Sequence, residues 1–389
     1  MAVPVRTDKR ALGLWLLVMA AALAVVLVRS GTGLIDLRVY RVGGRAWLEG
    51  VRLYAEGFPK PLDGPALPFT YPPIAAFLFS LLALVPWPAA VLVWTVVGLG
   101  LLTAVCVVTA QHLHGRVEKA VMLGLAFASG SLLLEPVRAT LDFGQINLLL
   151  MGLVALDCLL PKTRWPRGLL IGFAAAIKLT PAVFVLFFLP RKRIRPVVTA
   201  FLSFVGFGLV GFAVAPTDTK QYWLESLLDP GRVGGLAYVG NQSLRGVVHR
   251  LGFTGFTETA VWGLLSLAVV VLVWFAVRRA QDDVSALLAV AVGGLLVSPV
   301  SWSHHWVWVV PGLLLLVTVS RLGAGLLSAL FLVAPMWRLP HEKDLELTWS
   351  WWQHVVGNAY VWVGLVVLVL LVRRPVPRRE PAVEPAVAD

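Results

Sequence analysis

Six short polar stretches interrupt an otherwise apolar chain, and they hold the side chains able to do chemistry. The first reads Leu34, Ile35, Asp36, Leu37, Arg38, Val39, Tyr40 and begins a few residues past an apolar run ending near Arg29. A carboxylate held between Ile35 and Leu37 at a membrane boundary is partly desolvated, which raises its pKa and suits it to take a proton from a hydroxyl. Capping a helix or pairing with Arg38 is the plainer role for the same residue. Pro68, Phe69, Thr70, Tyr71, Pro72 and Pro73 form a rigid entry into the next apolar run, with Tyr71 at the interface. Phe143, Gly144, Gln145, Ile146 and Asn147 put two amides at one helix mouth, and Lys178 sits inside the run Ile177, Leu179, Thr180, Pro181. An ammonium at membrane depth costs several kcal/mol, so it faces a cavity or an anionic partner unless its stem snorkels to the surface.

The fifth stretch, Gly240, Asn241, Gln242, Ser243, Leu244, Arg245, combines amides, a hydroxyl and a guanidinium, donors suited to a sugar or a phosphate. The sixth holds Trp302, Ser303, His304, His305 and Trp306. Adjacent histidines point apart on a helix and are poor joint ligands for one metal, so phosphate contact or hydrogen bonding by one of them is expected. Tryptophans at 302, 306, 349, 351 and 352 suit an interfacial belt or stacking on a sugar or lipid.

The elements that position these residues must be membrane helices. Of 389 residues, 58% are hydrophobic and 14% charged, well below the roughly 25% charged of a soluble domain. The net charge of +12 comes from short cationic clusters between apolar runs, the pattern of orientation signals at lipid headgroups and not of a nucleic-acid surface. Cys106 and Cys158 lie in apolar runs, which argues against a disulfide or metal site. No phosphate-cradling glycine loop or dinucleotide fingerprint is present, so a nucleotide-driven pump is disfavoured. Apolar runs of spanning length predict an all-α polytopic membrane protein of about 12 spans, the first (11–29) a retained anchor. Residues 1–380 read as one transmembrane domain and 381–389 as a disordered cytoplasmic tail.

Arg6, Lys9 and Arg10 put the N-terminus in the cytoplasm, and Arg373, Arg374, Arg378 and Arg379 put the C-terminus there too. Counting 73–86, 117–134, 145–160 and 168–189 all as crossings leaves Lys162, Arg164 and Arg167 outside and 138–147 inside, against the charge rule. One element between 117 and 189 is therefore expected to be a re-entrant hairpin, broken either at Ser129, Gly130 and Ser131 or at Lys178, Thr180 and Pro181.

Taken together, the Asp36 run, Phe69 to Pro73, Gly144 to Asn147, Lys178 to Pro181, Asn241 to Leu244 and the His304, His305 pair resemble glycosyltransferase family 87, the polyprenyl-phosphate-mannose-dependent α-1,2-mannosyltransferases of actinobacteria. The resemblance implies a GT-C fold in the cell membrane with its active site on the extracytoplasmic face, no cofactor and no metal. It implies transfer of mannose, with inversion, from polyprenyl-phosphate-mannose to a glycolipid, a phosphatidylinositol mannoside or lipomannan. Asp36 takes the role of general base in that scheme. His304 or His305, Lys178 and Arg245 are the expected donor-phosphate contacts, and Arg38, Tyr40, Tyr71, Gln145, Asn147, Asn241 and Gln242 the expected substrate contacts. The same motifs would serve transfer of arabinofuranose from decaprenyl phosphate. A lipid transporter or flippase is the reading from another class, but the internal symmetry it predicts is not evident.

Overall fold

The computed structural model describes residues 8–55, 57–59, 67–229, 232 and 234–373. The tail at 381–389 and the cations Arg374, Arg378 and Arg379 lie outside the described residues. The described chain is helical throughout, with a single isolated β-bridge between Asn241 and Trp302. In chain order the helices are α1 (Lys9–Arg29), α2 (Ile35–Leu48), α3 (Pro73–Ala83), α4 (Trp87–His114), α5 (Val117–Ser131), α6 (Glu135–Phe143), α7 (Asn147–Leu159), α8 (Leu169–Ile177) and α9 (Ile194–Val214). They continue as α10 (Pro216–Leu224), α11 (Leu244–Arg250), α12 (Gly255–Arg279), α13 (Asp283–Val297), α14 (Val309–Val319), α15 (Arg321–Val333), α16 (Trp351–Gly357) and α17 (Ala359–Arg373). Four of them, α1, α4, α9 and α12, are long and apolar enough to cross a membrane alone, and up to six spans result if the bent pairs α5–α6 and α16–α17 each count once. Their outward sides carry exposed Leu, Val and Phe, such as Leu17, Phe201 and Leu267, the composition of a surface facing lipid.

Two segments that the sequence counts as crossings return to the face they leave. α3 has 11 residues, about 16 Å of helix against a core of about 30 Å. It starts beside Tyr71 and ends beside α1: Arg41 of α2 donates to the Leu82 and Val85 carbonyls, and Trp87 Nε1 donates to Ser30 O at 3.1 Å. α2 and α3 thus form an antiparallel hairpin along one face. Most of α3 is covered by protein, including Pro73, Ile74, Ala75, Ala76 and Phe79.

The second is α8 with the 3-10 segment Thr180–Phe187 that follows it. α8 starts at Gly168, whose backbone packs on Pro196 and Ala200 of α9, and where Asp157 of α7 accepts from the Gly168 and Ile171 N–H groups at 2.9 and 3.1 Å. After the turn at Lys178 the chain comes back to Arg191, which pairs with Asp283 at 2.5 Å, and α9 begins three residues later. Both ends of this hairpin therefore lie on one face and its tip, Lys178, is half-buried among polar side chains. Of the two breaks that the sequence offers, the one at Lys178, Thr180 and Pro181 is where the chain turns back toward α9, against which α8 began. The other, at Ser129 to Ser131, bends α5 into α6 by 70° and lays α6 along the α2 face.

With α3 and the α8 hairpin assigned in this way, residues 138–147 share a face with α2 and Lys162, Arg164 and Arg167 lie on the opposite one. The contacts fix this directly, since Trp94 Nε1 donates to Gly144 O at 2.9 Å and Leu34 N to Asp142 O at 2.9 Å. The charge-rule conflict disappears when neither element is counted as a span.

Candidate active site

Asp36 occupies the first turn of α2, in the stretch of chain that turns sharply off α1. Leu34, buried just before it, takes a left-handed conformation (φ 60°), a position that costs a non-glycine residue energy and persists where its surroundings hold it. Arg38 supplies part of that hold: its guanidinium donates to the carbonyls of Gly33, Ser30 and Gly31 at 3.1, 2.8 and 2.9 Å and stacks on Trp87. Arg38 thus acts on the backbone that aims Asp36, two helix positions away. The other support is α6. Its C-terminal Gly144 is left-handed (φ +65°), and a Cβ there would lie 2.7 Å from Leu37 Cβ, so only glycine lets α6 end against α2.

That close approach delivers Gln145 to the floor of the site. Tyr40 OH donates to Gln145 Oε1 at 2.9 Å and meets Tyr71 OH at 2.9 Å, all three side chains being buried. Tyr71 is fixed in turn by Tyr54, whose OH donates to the Tyr71 carbonyl at 2.5 Å. The Asp36 carboxyl, half-buried above this floor, has its pKa pushed up to about 6. Loss of water around it is the cause, and the Lys178 charge and a hydrogen bond from Gln145 pull less strongly the other way.

Lys178 and His305 face each other across the same site, with Nζ 3.5 Å from Nε2. His305 Nδ1 accepts the Trp302 backbone N–H at 3.2 Å. A ring nitrogen that accepts carries no proton, so the neutral ring presents Nε2–H toward Lys178. An ammonium and an N–H cannot satisfy each other; they converge as two donors on one acceptor position, the arrangement an anionic oxygen requires. Lys178 Nζ also lies 5.5 Å over the Tyr71 ring, a favourable seat for a cation. Beneath the pair opens a cavity of about 80 Å³, polar at the end formed by Lys178, His305 and Asn147 and apolar beyond, where Leu150, Met151, Val154, Phe184, Leu295 and Trp308 line it.

His304 points elsewhere: it is buried, its ring packs edge-on to Phe143, and its Nε2 has no hydrogen-bond partner. Its carbonyl is the useful part, accepting from Asn147 Nδ2 at 2.8 Å and Thr140 Oγ1 at 3.1 Å. Asn147 therefore locks the histidine turn and lines the cavity. Asn241 and Gln242, fully buried, are spent on backbone: Asn241 bonds to Leu236 O, Pro299 O and Ser301 N, and Gln242 to Val239 O, Gly357 O and Tyr360 N. They hold the 298–306 connection in place and leave no group for a ligand. Arg245 is not brought to the site, being paired with Glu258 at 2.8 Å and stacked on Trp262.

Sequence reasoning misses Glu135, at the start of α6 and 4% exposed. Its Oε1 accepts from Ser303 Oγ (2.7 Å) and Trp337 Nε1 (3.1 Å), and its Oε2 from Tyr360 OH (3.0 Å). Like Lys178 it is a charge-bearing residue set against an apolar run, Leu132 to Leu134, and that signal is present in the sequence. Among the described residues no group of three His, Cys, Asp or Glu side chains is placed to hold a metal ion.

Residues 69–299 match glycosyltransferase family 87. The chain belongs to that family. It is 39% identical over 360 residues to the polyprenol-phosphate-mannose-dependent α-(1-2)-phosphatidylinositol mannoside mannosyltransferase of Mycobacterium tuberculosis, covering 86% of this chain and 84% of the relative. The enzyme of the same name from Mycolicibacterium smegmatis is 38% identical, covering 87% and 83%. A phosphatidylinositol pentamannoside mannosyltransferase of M. tuberculosis, likewise named for polyprenol-phosphate-mannose, is 35% identical over 94% of this chain and 86% of the relative. No solved structure matches. As a family 87 member the chain is a glycosyltransferase embedded in a membrane. Asp36 lies within the field of the Lys178 charge, and Lys178 and His305 together line the apolar cavity.

Proposed function

We propose that this enzyme transfers mannose from polyprenyl-phosphate-mannose to a phosphatidylinositol mannoside, with inversion and formation of an α-1,2 linkage, on the extracytoplasmic face of a GT-C-type fold. The observation that carries the chemistry is the pairing of Lys178 with His305 beside Asp36 at the mouth of an apolar cavity. Asp36 takes the proton of the acceptor hydroxyl as its oxygen attacks the anomeric carbon. The bond from that carbon to the phosphate oxygen breaks on the opposite side, and the electron pair leaves with the polyprenyl phosphate. Lys178 and His305 Nε2–H stabilise the charge that develops there. The cavity takes the phosphate-proximal end of the isoprenoid chain against Leu150, Met151 and Phe184.

The test is transfer by membranes containing the protein when offered polyprenyl-phosphate-mannose or polyprenyl-phosphate-arabinose separately, with mass analysis of the lipid product. A gain of one hexose from the mannose donor is expected; a pentose product, or none from either donor, removes the reading.

The orientation rests on charge. If the shorter apolar helices α7, α13, α14 and α15 and the bent pairs α5–α6 and α16–α17 cross together with the four long helices, the crossings are even in number and return both ends to one side. The short turns on the face opposite Asp36 then carry Lys162, Arg164, Arg167, Lys192, Arg193, Arg195, Arg278, Arg279 and Arg321, as cytoplasmic turns do. On the Asp36 face several arginines are matched by acids: Arg29 with Asp142, Arg45 with Glu49, Arg52 with Asp218 and Arg245 with Glu258. A membrane-impermeant maleimide is expected to label Arg138→Cys in intact cells and Arg164→Cys only after permeabilisation. Both residues are exposed and both native cysteines are buried. The reverse pattern puts the site in the cytoplasm and ends the proposal.

A further inference from the structure

We infer that Tyr238, Trp302, Trp337 and His341 form a platform that binds the sugar chain of the acceptor, a subsite outside the reacting centre; the inference rests on the glycolipid-acceptor reading above. The four rings pack edge to face around Tyr238, with centroids 5.9 Å to Trp302, 6.0 Å to Trp337 and 6.5 Å to His341. Tyr238 is 36% exposed, and the other three are partly exposed. Gly234 lies against Trp302 with φ +108°, where a Cβ would come within 2.9 Å of the indole.

The platform is continuous with the active site through two connections. Trp302 donates its backbone N–H to the His305 ring, three residues on. Glu135 Oε1 accepts from both Trp337 Nε1 and Ser303 Oγ, so one carboxylate fixes a platform ring and the histidine turn relative to each other. The rim is strained: Glu342, Lys343 and Asp344 take successive positive φ values of 74°, 50° and 59°. Glu346, 1% exposed, restrains it by accepting from Val239 N at 2.9 Å and Glu342 N at 3.4 Å. Three consecutive non-glycine residues in this region are costly, and such strain collects at ligand clamps.

An interfacial aromatic belt is the competing explanation. Trp351 (80% exposed) and Trp352 (49%) fit it, standing out from α16. The Tyr238 group differs because its rings pack on one another and are anchored to the catalytic turn. A pyranose offers an apolar face of C–H groups to an aromatic ring and polar groups around its edge; the charged rim at 342–344 is suited to the latter.

The measurement is calorimetric binding of soluble α-mannopentaose to the purified full-length protein, alongside KM values for donor and glycolipid acceptor. Tyr238→Ala is expected to weaken mannopentaose binding and raise the acceptor KM by about fivefold to tenfold, the loss of one stacking contact. Tyr238→Phe keeps the ring and is expected to restore both, with the donor KM unmoved in either variant. Equal binding by Tyr238→Ala and the parent protein, no binding by the parent, or a Phe variant as poor as Ala overturns the platform. Mannopentaose binding that depends on Tyr238, without transfer from polyprenyl-phosphate-mannose, overturns the functional reading and leaves the platform standing.

Discussion

Asp36→Asn and Asp36→Ala will each lower mannose transfer by about 10²- to 10⁴-fold, the contribution of a positioned general base, while expression and detergent elution stay those of the parent. The structure supplies a reason for the separation. Asp36 forms no ion pair within reach of a bond among the described residues, and the backbone around it is held by Arg38, Leu34 and Gly144 and not by its own carboxylate. The pH profile follows from the same group. Burial raises its pKa to about 6, and the base must be ionised to accept a proton. The rate is therefore level above about pH 7 and falls about tenfold per unit below pH 6. The remaining activity of Asp36→Asn should lack that acid limb. Parent-like activity in both variants, or a limb that persists in Asp36→Asn, takes Asp36 out of the mechanism.

Lys178→Ala is the second large effect: kcat/KM for the donor falls about 10²- to 10³-fold, as when one preorganised donor to a developing charge is removed, and the acceptor KM moves little. The fold should tolerate the change, because Lys178 contacts the Tyr71 ring and a His305 N–H that is itself a donor, so its removal orphans no buried acceptor. Steady-state kinetics with each substrate varied separately decide the matter. Equal losses for donor and acceptor, or none, would mean that the ammonium serves the hairpin's folding or solvation and not the phosphate. His305→Phe should show the same donor-selective loss in milder form, since it removes a neutral donor where Lys178 supplies a full charge.

Much of the site's cast is legible in the amino-acid sequence. Asp36 stands out because it follows a span by only a few residues, and Lys178 because a charge in an apolar run demands an explanation. Arg38, Asn241, Gln242 and Arg245 look equally chemical, yet their donors are taken up by carbonyls or by Glu258. Residue type and spacing cannot distinguish a polar group that meets a ligand from one that staples two loops, because both need the same donors.

Local composition alone determined that the chain lives in lipid, that its polar residues gather in a few connections and that a carboxylate sits at the end of the first span. Those are properties of short stretches, set by the cost of placing charge or unpaired backbone in hydrocarbon. Only the tertiary structure shows which apolar segments turn back within the bundle. α3 and the α8 hairpin are as greasy as true spans because they are wrapped by other helices, and a protein interior and a lipid tail are equally apolar neighbours. The same packing brought Gln145 and Lys178, far apart along the chain, to the carboxylate of Asp36, and His305 to Lys178.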